Sequence, residues 1–175
     1  AFFDVRYGTV NLSSEQTFAN GLQIGNTTQG NGNSTINIGD GNFLNLASNI
    51  TYQADSATAN TGLITGGAIQ LSAADFGTRT ITVSDNSMVT GPELTIASNI
   101  LESSHQAGST GNQNLIKGGQ GTLLLSGTAS TYNVLFVNSG TAQFDTLGAL
   151  GDNAIQLGTN TTNGTLEYTG PGDET

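Results

Sequence analysis

The chain has 175 residues, of which 13 are acidic and only Arg6, Arg79 and Lys117 are basic, for a formal net charge of −10. With no clustered lysine or arginine it lacks what binding to a nucleic-acid backbone or an anionic lipid surface requires, so both are excluded as partners. There is no cysteine, which removes disulfides, thiol chemistry and any cysteine-based zinc site. Charged residues make up 9 % and apolar residues 35 %. Asparagine, threonine, serine, glutamine and glycine must therefore cover the surface, and the scarcity of helix formers beside abundant β-branched residues predicts an all-β chain.

Short patches of alternating apolar residues run from end to end. In chain order they are Thr9–Leu12, Gly21–Ile24, Thr35–Ile38, Phe43–Leu46, Ala68–Leu71, Thr80–Val83, Glu93–Ile96, Leu123–Leu125, Val134–Val137, Ala142–Phe144, Ala154–Leu157 and Thr165–Tyr168. Glycine, asparagine, aspartate and serine separate them, as corners require. A strand of about four residues buries only two or three side chains and is stable only when similar strands stack above and below it. Each apolar run, such as Val134–Val137, is far shorter than the roughly 20 residues that span a bilayer, so membrane insertion is not expected.

Internal similarity favours stacking over a sandwich. The segment Leu44-Asn45-Leu46-Ala47-Ser48-Asn49-Ile50 aligns with Leu94-Thr95-Ile96-Ala97-Ser98-Asn99-Ile100, and Leu63-Ile64-Thr65-Gly66-Gly67 with Leu115-Ile116-Lys117-Gly118-Gly119. The spacing of roughly fifty residues fits two coils of about twenty-five. The expected fold is a right-handed parallel β-helix, a β-solenoid of roughly seven to nine coils and about 35–45 Å in length. Leucine, isoleucine, valine and phenylalanine would fill its interior, with asparagine ladders at inward corners. Residues 1–175 read as one solenoid section, with less regular coils over 1–113 and a more regular repeat over 114–170. The opening Ala1 and the polar Gly172–Thr175 suggest a fragment of a longer rod.

The most patterned stretch runs from Leu115 to Phe144. Leu115, Lys117, Gly119, Gly121, Thr122, Leu123, Leu125 and Gly127, followed in order by Tyr132, Val137 and Gly140, resemble the passenger-associated transport repeat of autotransporters, also called the autotransporter-associated β-strand repeat. Ala129, Val134 and Ala142 depart from that pattern. Leu147–Gly158 and Gly164–Tyr168 look like its usual continuation. The resemblance covers about a third of the chain. It implies a β-helical passenger region of a secreted bacterial surface protein, a stalk or adhesin section at the cell surface or outside the cell. The repeat carries no catalytic residues.

Candidate chemistry is sparse. His105, the only histidine, lies among serines in a polar stretch without the sharp-turn motif of a nucleophilic serine, so a solvated loop residue is expected. Asp145, Asp152 and Glu167, or Asp75 and Asp85, fall at intervals that stacking would bring onto one face, as a carbohydrate-cleaving β-helix needs; solvated corners are the simpler reading. Gly39-Asp40-Gly41-Asn42 and Gly151-Asp152-Asn153 echo calcium-binding repeats without the tandem copies that calcium requires. Gly30-Asn31-Gly32-Asn33 lacks the lysine of a phosphate loop. Tyr7, Tyr52, Tyr132 and Tyr168 are dispersed and are expected to cover coil edges with their hydroxyls in water. The Asn-x-Ser/Thr triplets at Asn11, Asn26, Asn33, Asn49, Asn160 and Asn163 follow from the composition. No catalytic, metal or cofactor residue is expected, and no enzyme activity. The partners expected are adjoining coils or neighbouring copies end to end, with surface glycans or host receptors as the ligands of a binding-module reading.

Overall fold

The computed structural model describes residues 3–25, 32–54, 57–71, 77–102, 112–151 and 154–172. It is all-β, with no α-helix among the described residues. The strands are β1 (Phe3–Val5), β2 (Gly8–Leu12), β3 (Gln16–Phe18), β4 (Leu22–Gly25), β5 (Ser34–Leu46), β6 (Ile50–Gln53), β7 (Gly62–Leu71) and β8 (Arg79–Val83). They continue with β9 (Leu94–Ile96), β10 (Asn99–Glu102), β11 (Leu115–Gly118), β12 (Thr122–Leu125), β13 (Val134–Val137), β14 (Gly140–Phe144), β15 (Ala154–Leu157) and β16 (Gly164–Tyr168). A 3-10 turn at Leu147–Ala149 is the one helical element described.

These strands form two sheets, ordered β1-β4-β6-β8-β11-β13-β15 and β16-β14-β12-β9-β7-β5-β2, with β3 added on β5 and β10 on β7. The pairs are parallel, from β1 with β4 at one end to β14 with β16 at the other. The chain passes repeatedly from one sheet to the other, so each strand pairs with one laid down a circuit earlier or later. This is the connectivity a β-solenoid needs. Seven rungs separated by six intervals of about 4.8 Å give roughly 29 Å, shorter than the 35–45 Å expected, because the described strands make only the smallest number of coils expected. The offset between partners runs from 19 residues (Phe3 to Leu22, Thr122 to Thr141) to 36 (Arg79 to Leu115).

Alternation sets the interior. In β12 Leu123 and Leu125 are buried while Leu124 is half-buried on the outer side. Stacking then aligns like positions into columns, such as Val10, Ile36, Ile64, Ile96, Leu125, Phe144 and Tyr168. Each fully buried leucine or isoleucine contributes about 1.5–3 kcal/mol, and one continuous cluster runs from Val5 to Ala149.

The fifty-residue similarity is not a structural repeat. Leu44 pairs with Ile69, and that residue with Ile100, whereas Leu94 pairs with Gly62 in the column of Ser34. Likewise Ile64 lies in one sheet and Ile116 in the other. Both copies are short alternating segments, and corner length decides which sheet each joins.

Corner asparagines bond both to the backbone of the next circuit and to one another. Asn49 Oδ1 accepts from Thr80 N (2.9 Å), Asn33 Oδ1 from Thr61 N (3.0 Å) and Asn99 Oδ1 from Ala129 N (3.0 Å), each tying a corner to the backbone of the next circuit. Amide-to-amide bonds do occur, from Asn37 to Asn11 on the exposed face and from Asn133 to half-buried Asn114, both 3.1 Å. Each joins two described rungs.

Two of the four tyrosines also correct the expectation. Tyr52 and Tyr132 are fully buried, and their hydroxyls donate to Asn60 O (2.6 Å) and Ala149 O (2.8 Å). Tyr7 and Tyr168 are exposed.

Candidate functional site

Among the described residues the acidic side chains do not converge. Glu167 points outward and accepts from Gln143 Nε2 (2.9 Å), Asp85 and Asp40 are exposed, and Asp145 is half-buried at the end of β14. No group of three histidine, cysteine, aspartate or glutamate side chains capable of holding a metal exists among the described residues. Gly39–Asn42 occupies the register shift in β5 between Ile38 and Phe43. His105, Asp75, Asp152, Asn153, Asn26, Gly30 and Asn31 lie outside the described residues.

The buried polar chemistry is at Lys117 and Glu93. Lys117 takes an inward position of β11, between Ile81 and Val137. It is fully buried, and its ammonium donates to Gly118 O (3.0 Å), Gly119 O (2.9 Å) and Ser139 O (2.9 Å). All three protons are used, and the side chain ties one corner to that of the next circuit. Glu93, buried just before β9, accepts from Asn86 N (3.1 Å) and Thr122 N (2.6 Å), joining its own loop to the following circuit. The sequence alone left Lys117 unassigned; the alternation Leu115–x–Lys117 is the signal that could have placed it inside. Nothing local marked Glu93.

Burial lowers the Lys117 ammonium to about 8, opposed by the negative charge of Glu93. The unfolded chain holds its proton to about 10.5. Between these values the unfolded state binds more protons, so stability rises with pH, by up to about 1.4 kcal/mol per unit, and is lost as pH falls through 8. Burial raises Tyr52 to about 12 and Tyr132 further, so their contribution is lost only above pH 10. Urea unfolding from pH 7.5 to 9.5 should therefore show wild type gaining stability relative to Lys117→Met. A constant difference between the two across that range would remove Lys117 as its source.

The second feature is the end formed by β15 and β16. The inward column positions Leu135 and Val137 are fully buried in β13, but their partners Ile155 and Leu157 in β15 are 40 % and 52 % exposed. In the other sheet Phe144 is 9 % exposed and its partner Tyr168 49 %. Interior side chains thus stand open to solvent at this end. At the other end Phe3 and Phe18 stack at 4.4 Å and partly cover the core.

No protein-family model matches this chain, and neither a curated protein nor a solved structure does. What the molecule can do follows from its own geometry: parallel rungs joined by backbone bonds, an internal lysine and glutamate that join circuits, and one open apolar end.

Proposed function

We propose that this chain is a structural section of a secreted bacterial surface protein, a right-handed parallel β-helix whose stacked circuits form a rigid extracellular scaffold in a stalk or adhesin passenger. The observation that carries this reading is the stacking itself: short parallel strands pair rung on rung in two sheets around one continuous apolar interior that runs from Val5 to Ala149. The resemblance of Leu115–Phe144 to the autotransporter repeat supports it, since those residues make up the four consecutive strands β11 to β14. Stiffness comes from stacking, because every circuit borrows backbone partners from its neighbours.

Force spectroscopy on the chain held near residues 3 and 172 tests the mechanism. Circuits of 19 to 36 residues should release one after another in steps of about 65–125 Å. One rupture releasing the whole chain would overturn the scaffold reading. Antibodies against the chain should label source cells without permeabilisation; labelling only after permeabilisation would overturn the location.

A carbohydrate-binding or carbohydrate-cleaving β-helix draws less support. The exposed tyrosines Tyr7 and Tyr168 sit at opposite ends of the stack and make no aromatic ladder.

A further inference from the structure

We infer that residues 7–175, once folded, are closed to endopeptidases that recognise lysine or arginine, because the fold uses both basic side chains of that stretch as internal ties. This property is independent of the scaffold reading above. Beyond Arg6 the sequence holds only Arg79 and Lys117 as basic residues. An enzyme of this class must take the basic side chain into a pocket that carries a carboxylate, and must reach the peptide bond that follows it.

Neither requirement is met at Arg79. The residue is 8 % exposed, and its Nε donates to Leu46 O (3.1 Å) and its Nη1 to Thr78 O (3.4 Å). The bond that follows is Arg79–Thr80, whose N–H donates to Asn49 Oδ1 (2.9 Å). Lys117 is fully buried with its ammonium on the carbonyls of Gly118, Gly119 and Ser139. The bond that follows is Lys117–Gly118, whose carbonyl accepts from Asn138 N (2.9 Å). Strand β8 lies between β6 and β11, and β11 between β8 and β13. The groups that close both bonds therefore belong to this section itself, whatever adjoins it. Drawing either side chain out would strip buried carbonyls of their donors and open the strand pairs on both sides. Cleavage must wait for the circuit to open, and its rate follows the small population of the open form. The corner between β8 and β9 is the contrast. Met88 there is 54 % exposed and lies in no strand, so at that position the residue type, not burial, turns such an enzyme away.

The test is trypsin digestion of the Arg6→Gln chain at pH 7.5, followed by intact-mass spectrometry. The Arg6 side chain is 59 % exposed and pairs with Asp4 at the surface, so the variant should keep the fold by circular dichroism. Arg79 and Lys117 are then the two remaining trypsin sites. Cuts after either should be at least about 1,000-fold slower than in synthetic peptides of residues 77–83 and 112–122. Adding Met88→Arg should open the chain, with the folded double variant cut after position 88 at least about 100-fold faster than after Arg79 or Lys117. Cutting of the folded chain after Arg79 or Lys117 within about tenfold of the peptide rates would overturn the inference. So would a folded double variant as resistant as the single one, because rigidity of the whole chain, and not the placement of its basic side chains, would then protect it.

Discussion

Leu125→Asp is expected to abolish cooperative unfolding, whereas Leu124→Asp should change stability by less than about 1 kcal/mol. Leu125 is 2 % exposed and lies between Ile96 and Phe144 in an interior column. Its truncation alone costs about 2–5 kcal/mol, and a carboxylate left unpaired in that column adds several more. Their sum is comparable with the whole stability of a domain, about 5–15 kcal/mol. Leu124 lies on the outer side between Thr95 and Gln143, where an aspartate keeps its water. Urea unfolding followed by circular dichroism distinguishes them. Equal effects would mean that β12 does not alternate as described.

Gly127→Val should cost about 2–4 kcal/mol, measured in the same way. Gly127 is not among the positive-φ glycines, so its backbone angle does not require glycine. The constraint is space between circuits. A Cβ at this position would lie 2.8 Å from Ser98 O and 2.9 Å from Asn99 Oδ1, the atom that accepts from Ala129 N. A valine forces the two circuits apart and breaks that bond. Gly91→Val is the control, because a Cβ there meets nothing within 4 Å, and it should shift stability by less than about 0.5 kcal/mol. Matching losses at the two sites would show that spacing between circuits is not the cause.

Much of the strand pattern was legible in advance. Thr80–Val83, Val134–Val137 and Ala154–Leu157 match β8, β13 and β15 closely, because alternation is written into neighbouring residues. The strands β1, β3, β6, β10 and β11 were not anticipated. Gln16–Phe18 and Asn99–Glu102 each carry too few apolar residues to signal alone, and they are held by pairing with β5 and β7. The candidate site was less legible. Ile155 and Leu157 read as ordinary interior residues, yet they are exposed in the last strand of their sheet among the described residues.

By itself the sequence determined the all-β class and the two-residue periodicity, since each depends on residues a few positions apart. The tertiary structure decided which strands share a sheet, where Lys117 and Glu93 find their backbone partners, and which tyrosines are buried. Those choices depend on pairings across 19 to 36 residues, set by corner lengths that vary from circuit to circuit. A stretch such as Leu44–Ile50 can therefore resemble Leu94–Ile100 and still stack in a different column.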